Sequence, residues 1–490
     1  MRRTFNCYSY LLNLTDISSR SHPHPIVCLD ERLRKYLQSF HALFSQPQFE
    51  HFVTVLVALL MSLEGQTLSH LHRAVAGKKS LSSISRFLSQ APWSHQDVIK
   101  YNFSRFCHMM NPKIEQERQK VKDQQKKLKR RGRRKEPLVT GYLIGDDSTM
   151  SKTKGVKMQG LGRHHSTTYG KRIIGHSLVQ CLYTVLGRFC PLEPFLYRQK
   201  KTAEKEGVQF LSKIDIMIQY IQNFTPPDGT LTHMLLDSWY SAKKIWKAAR
   251  DRGFLITTGL KCNRSLRIFC DITPETPKGW KWQSLSEYAA SLPKNAYQLY
   301  SWPRNPQRKV WVHIVDTHVK TLYRCKLIII RHNLDDPIKD ARYFATSDLD
   351  ANAQRCLEHI SARWDIEVLF EDGKGLLGID RYQLMTTTAL LRYWTLCWIA
   401  FSYLEEIRDE LKHQKVSEND WPINNKINEK LEEKDKIDHM IYEDSKDLHA
   451  TLGQAKRFVQ ETHHKLFLAW IYKKAFSGTP VEDLHAFLLA

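Results

Sequence analysis

The chain has 490 residues, 42% of them hydrophobic, and its 74 lysines and arginines outnumber 51 aspartates and glutamates for a formal net charge of +23. Length and apolar content exclude a wholly disordered chain and leave room for roughly two to four domains. The charge predicts a polyanionic partner, nucleic acid first.

In chain order, the opening MRRTFNCYSYLLNLTD is basic but broken by polar residues, which predicts no secretory signal. From about Leu33 to Met110 the periodicity is helical, through LRKYLQSFHALF, FVTVLVALLM, TLSHLHRAV and LSSISRFLSQAPW. The run from Phe52 to Met61 is the longest apolar stretch and falls short of the roughly 20 residues of a bilayer crossing. It reads as a buried helix, and no membrane partner is expected. The segment after Lys78 and Lys79 can be capped by Ser80 or Ser82 and carries Arg86, so it suits either a DNA groove or the interior of a helical bundle. Residues 30–117 thus read as a helical N-terminal region that binds DNA.

RQKVKDQQKKLKRRGRRK, from Arg118 to Lys135, holds eleven basic residues against one acid and has almost nothing to bury. Residues 118–137 are read as a basic linker whose Lys129, Arg130, Arg131, Arg133 and Arg134 meet phosphates. Beyond it the period changes. PLVTGYLIGDDST is an apolar run ending in acids, GHSLVQCLYTVLG and PLEPFLYR alternate like hairpin strands, and GVQFLSKIDIMIQYIQNF is an amphipathic helix. LTHMLLDSWYS, another apolar run ending in an acid, precedes the helix AKKIWKAARDRG and the strand FLITTGL. This order predicts an α/β core whose first part spans residues 138–261.

Residues 262–341 lose the helical period and read as a β-rich insertion, and 342–385 resume the core with the helix of RWDIEVLFEDGKGLLG. Residues 386–490 read as a helical C-terminal region for dimerisation or DNA contact. The ten cysteines are scattered without a CxxC pair, which argues against a zinc site and suits a reducing cytosol.

Asp146 and Asp147 end one predicted strand and Asp237 ends a later one, where ligands sit in open α/β sheets. Each such Asp-Ser also suits a turn cap. In the late helix, Arg363, Glu367 and Lys374 stand at roughly 0°, 40° and 20° and share a face, while Asp365, Glu371 and Asp372 spread to other angles as solvated charges do. Alone, the stripe would read as helical ion pairs.

Together these features resemble the DDE transposases of cut-and-paste insertion sequences. Their last catalytic helix carries Tyr, two residues, Arg, three residues, Glu, six residues, Lys. Arg363, Glu367 and Lys374 keep that spacing, with Ile360 at the tyrosine position. The Asp-Thr motif of that family matches Asp147 with Ser148, making Asp146 a neighbour, and Asp237 matches the second acid.

The resemblance implies an RNase H-like fold and Asp147, Asp237 and Glu367 as catalytic metal ligands. Two Mg²⁺ ions, replaceable by Mn²⁺, would serve phosphodiester hydrolysis and transesterification. It implies double-stranded DNA as partner, both terminal inverted repeats and target, a homodimer in the synaptic complex, and a cytoplasmic, nucleoid-associated bacterial protein. Arg363 and Lys374 would hold DNA phosphates. A tryptophan of the β insertion, with Trp302 and Trp311 as candidates, would stack on a flipped base at about 1–3 kcal/mol. Two alternatives remain: a transposase-derived DNA-binding protein without transposition, and another RNase H-like nuclease.

Overall fold

The computed structural model describes residues 29–62, 67–74, 79–127, 136–152, 157–166, 170–274, 276, 278–413 and 450–480. The N-terminal helices are α1 (Glu31–Gln38), α2 (Gln46–Met61), α3 (Leu68–Ala74), α4 (Leu81–Ser89) and α5 (His95–Lys127). Ser45 starts α2 through a capping box with Gln48, and Ser80 caps α4 by accepting from Ser83 N. The first ten residues of the expected linker, 118–127, are the last turns of α5. There Arg118 folds back on the far end of the same stretch, its Nε donating to Pro137 O at 2.9 Å just before β1.

The strands β1 (Val139–Ser151), β2 (Gly162–Ser166), β3 (Lys171–Val185), β4 (Arg188–Pro191) and β5 (Phe195–Tyr197) follow. Next come α6 (Lys200–Lys205), α7 (Lys213–Asn223), β6 (Thr230–Leu236), α8 (Lys243–Asp251) and β7 (Leu255–Leu260). The turn joining β3 to β4 places Leu186 at φ 51° and Gly187 at φ 72°, two left-handed residues in succession that match the twist of a tight hairpin. β1 pairs in parallel with β6, and β6 with β7, while β3 runs antiparallel to β1.

Strands β8 (Ser265–Phe269) and β9 (Trp280–Ser284) make a separate hairpin, followed by α9 (Leu285–Ser291). The rest of the expected β insertion is not a separate layer. β10 (Gln298–Trp302), β11 (Asn305–His318) and β12 (Arg324–Arg331) form an antiparallel meander joined through β13 (Arg342–Thr346) to β7. The result is an eleven-stranded sheet with the path β10-β11-β12-β13-β7-β6-β1-β3-β2. Its mixed pairing, with helices on both faces, fits an α/β RNase H-like core.

One face packs on α7, α8 and the middle of α5, through Met217, Tyr220, Trp246, Met110 and Ile114. The other meets α11 (Asp365–Gly375) and α12 (Thr387–His413), which follow α10 (Ala353–Ala362). From Ala389 to Leu404 α12 is buried nearly all round, with Tyr393, Trp394 and Trp398 fully enclosed, and its charged last turns lead out of the core. The N-terminal helices share its core instead of standing apart. Tyr36 donates to Ile399 O at 2.8 Å, and Arg392 donates to the carbonyls of Leu88, at 3.0 Å, and Trp93. The final helix, α13 (Leu452–Phe476), joins the same cluster through Leu452, Ala455 and Val459. Among the described residues no helix is long and apolar enough to cross a membrane.

Candidate active site

Side chains alternate along β1, and that alternation separates the two adjacent aspartates. Ile144 belongs to the core shared with Ile366 and Leu369 of α11, whereas Leu143 belongs to the core of Met217 and Tyr220. Asp146 keeps the parity of Ile144, and its Oδ2 lies 3.9 Å from Arg363 Nη1. Asp147 keeps the parity of Leu143. It accepts from Lys213 Nζ at the start of α7 and, at 2.9 Å, from the Tyr240 hydroxyl. The residue that faces the late helices is therefore Asp146, although the following serine had singled out Asp147.

Asp237 ends β6, next to β1, and fulfils its capping alternative as well. Its Oδ1 accepts from Trp239 N at 2.9 Å and Tyr240 N at 3.3 Å, holding the short turn Ser238–Tyr240. Burial raises the Asp237 carboxyl above its usual range, with Asp147 adding to the effect. Asp146 is pushed up to about 7, first by burial and then by Asp237 and Asp147. An acid cluster so crowded is short of positive charge, and its donors are hard carboxylate oxygens. Both features fit a divalent cation on Asp146 and Asp237, and Arg363 links Glu367 to the same acids.

Arg363 sits at the junction between α10 and α11, not inside one continuous helix, yet its backbone stays right-handed helical with φ -57° and ψ -29°. The expected i, i+4 pair forms, Arg363 Nη2 to Glu367 Oε1 at 2.5 Å. Lys374, in the last turn of α11, is half-buried, and burial lowers its pKa despite Asp380 and Glu371 nearby. Two of the supposedly solvated acids are not so. Asp365 is 7% exposed and pairs with Arg304 at 2.6 Å, which reaches it from the turn between β10 and β11. Asp372 is pushed up to about 7 by burial and the Glu405 carboxylate.

Ile360, at the family tyrosine position, is buried with Val310, Val312, Ile328 and Ile330 of the sheet extension, a packing role that an aliphatic side chain fills. Trp302 packs on that cluster with the Arg308 guanidinium 5.3 Å from its ring centre, and Trp311 packs on the core of the opposite face. Arg86 is exposed on α4, whose Ile84, Phe87 and Leu88 face inward. Lys129, Arg130, Arg131, Arg133 and Arg134 lie outside the described residues.

Sequence reasoning missed Lys213, Tyr240 and Trp239, the last 56% exposed beside Asp237. The only local signal was that Trp239 and Tyr240 follow the Asp-Ser of the second strand. It also missed Arg304, which nothing in the sequence connects to Asp365.

Asp146 and Asp237 each follow the last parallel pair of β1 and β6, Gly145 with Leu236, and Arg363 and Glu367 face them, an arrangement that suits carboxylate-dependent nuclease chemistry on an α/β sheet. The model of the DDE superfamily endonuclease family matches residues 39–284, and the chain belongs to that family. Membership implies a metal-dependent nuclease acting on DNA. The match takes in Asp146, Asp147 and Asp237 and ends before Arg363 and Glu367. No curated protein matches the chain significantly.

Proposed function

We propose that this chain is a transposase that binds terminal inverted repeats as a homodimer and cuts and joins DNA through Asp146, Asp237 and Glu367. The observation that carries the reading is Arg363, which stands between the β1 acid and the helix glutamate at the mouth of two parallel strands. Mg²⁺ or Mn²⁺ ions on these carboxylates would activate a water or 3′-hydroxyl and stabilise the leaving oxygen.

The remaining work belongs to the chain itself. Asp146 holds a proton near neutrality and releases it when a cation arrives. Arg363 turns its planar fork from the carboxylates to the scissile phosphate, and Lys374 adds a point charge farther along. Asp147 is the positioning acid, tying β1 to Lys213 and Tyr240. Arg86 and the basic run after Lys127 extend the contact along the duplex backbone, and Trp302 and Trp311 are the candidate base stackers.

The test is a strand-transfer assay with Mg²⁺, paired end sequences taken from the DNA flanking the gene, and a target duplex. Joined product from the unaltered chain, absent with Asp237→Asn, supports the reading. Cleavage without joining would make the protein a nuclease, and end binding without cleavage would make it a DNA-binding derivative.

A further inference from the structure

A second polar cluster lies one layer beneath the acids. His233 on β6 is four residues before Asp237, His359 on α10 is four before Arg363, and Tyr142, paired with His233 in the β1–β6 register, is four before Asp146. Asp348, just after β13, completes it, and all three ligand-type side chains are buried. One ligand atom from each of His233, Asp348 and His359 lies within 4.8 Å of the others.

Three buried atoms here make no well-formed hydrogen bond: His233 Nδ1, His359 Nε2 and Asp348 Oδ2, the last two standing 3.5 Å apart with Arg355 Nε 3.3 Å from the same oxygen. Buried polar atoms are costly to leave without full hydrogen bonds, so three such groups gathered in one place need an explanation. The hydrogen bonds around them fix the direction of one imidazole. Thr257 donates its hydroxyl to Thr346 at 2.8 Å, so its oxygen accepts from His233 Nε2, also at 2.8 Å. That leaves the buried His233 Nδ1 with a bare lone pair and no hydrogen bond. His359 Nδ1 is 3.1 Å from the Tyr142 hydroxyl, which can accept its proton and bare Nε2 in the same way.

We propose that His233, Asp348 and His359 form a structural site for a transition-metal ion of the Zn²⁺ class, distinct from the catalytic carboxylates. Metal-bound histidines commonly give their second ring N–H to an oxygen partner, the part played here by Thr257 and Tyr142. The spacing suits the ion. Ligand bonds of about 2.0–2.1 Å in a tetrahedron set neighbouring donors roughly 3.4 Å apart, and His359 Nε2 lies 3.5 Å from Asp348 Oδ2. Imidazoles favour Zn²⁺, Co²⁺ or Ni²⁺ over the Mg²⁺ that an all-carboxylate cluster takes.

Arg355 Nε lies 3.3 Å from Asp348 Oδ2, but its side chain is 46% exposed and free to swing into solvent as the ion enters. The ion would pin β6, the end of β13 and α10 together, and so set the helix that presents Arg363. No CxxC pair announced this site because its ligands come from three separated segments.

The experiment uses the full chain, stripped by chelator and titrated with Co²⁺ in buffer containing excess Mg²⁺. One equivalent giving the visible bands of a tetrahedral Co²⁺ centre, displaced by Zn²⁺ and retained in Asp237→Asn, is the expected result. His359→Gln and Asp348→Asn should each lose the bands while keeping the circular dichroism of the parent. Zn²⁺ should raise the melting temperature of the parent and of Asp237→Asn, but not that of His359→Gln or Asp348→Asn. Absence of bands in the unaltered chain overturns the proposal without needing any variant, as would bands lost in Asp237→Asn but kept in His359→Gln.

Discussion

Arg363 and Glu367 are joined at 2.5 Å across the junction of two helices, and the same guanidinium stands 3.9 Å from Asp146. One cation thus bridges acids contributed by a strand and a helix more than 200 positions apart in the sequence. Removing it should separate catalysis from stability. A helical pair of this type is worth about 0.2–0.5 kcal/mol, so Arg363→Ala should leave the melting temperature nearly unchanged while single-turnover cleavage falls about a hundredfold or more. Arg363→Lys should recover only part, lacking the planar fork. Lys374→Ala should be milder. A large drop in melting temperature with near-normal cleavage would reduce the stripe to structural ion pairs.

The adjacent aspartates should behave differently. Asp146→Asn should abolish measurable cleavage with little cost to folding. Asp147→Asn should weaken its bonds from Lys213 and Tyr240, costing about 1–2 kcal/mol of stability and a smaller share of cleavage. Thermal melts and cleavage rates on both variants decide the matter, and the opposite ranking would return the catalytic role to Asp147.

Proton and metal should compete at Asp146. Its carboxyl is raised from 3.8 to about 7, so the protonated form favours the metal-free fold: that stabilisation is complete below the ordinary value and lost as pH rises through about 7. The metal-free melting temperature should therefore carry a component that declines across this window and vanishes in Asp146→Asn. The rise in melting temperature caused by Mg²⁺ should be larger at about pH 8 than at about pH 6, where the proton must first be displaced. Equal Mg²⁺ effects at both values would count against Asp146 as a ligand.

The latch between the sheet extension and the catalytic helix should matter for folding. Arg304→Ala leaves the buried Asp365 carboxylate without its partner. Because Arg304 is itself 38% exposed, water can replace part of the interaction, and a cost of about 1–2 kcal/mol is expected rather than the larger penalty of a fully buried pair. Asp365→Asn in the same background should restore much of it. Urea melts of the two single variants and the double variant measure the coupling.

The basic run should add affinity without sequence preference. Neutralising Lys129, Arg130, Arg131, Arg133 and Arg134 together should weaken binding to all duplexes alike and flatten the salt dependence, by about 0.9 in slope for each phosphate that the run had neutralised. An unchanged slope in a binding titration would show that the run does not touch DNA.

Local pattern determined much of this protein: the amphipathic α7 and α8, the apolar runs of β1 and β6 that lead into acids, and the spacing of Arg363, Glu367 and Lys374 are all written in a few neighbouring residues, although β1 itself continues past Asp147 to Ser151 in pairing with β3. Tertiary structure decided the rest. Asp146 and Asp147 both end the same apolar run, and only the placement of the two cores on opposite faces of β1 says which one meets Arg363. Asp365 looks like a solvated charge until Arg304 arrives from a distant hairpin, and β10 to β12 look like an insertion until β13 joins them to the sheet. His233, Asp348 and His359 carry no motif at all, since the packing of three separated segments brought them together. Periodicity reports which side of an element is apolar, but not which other element covers it, and the chemistry of a site depends on that second fact.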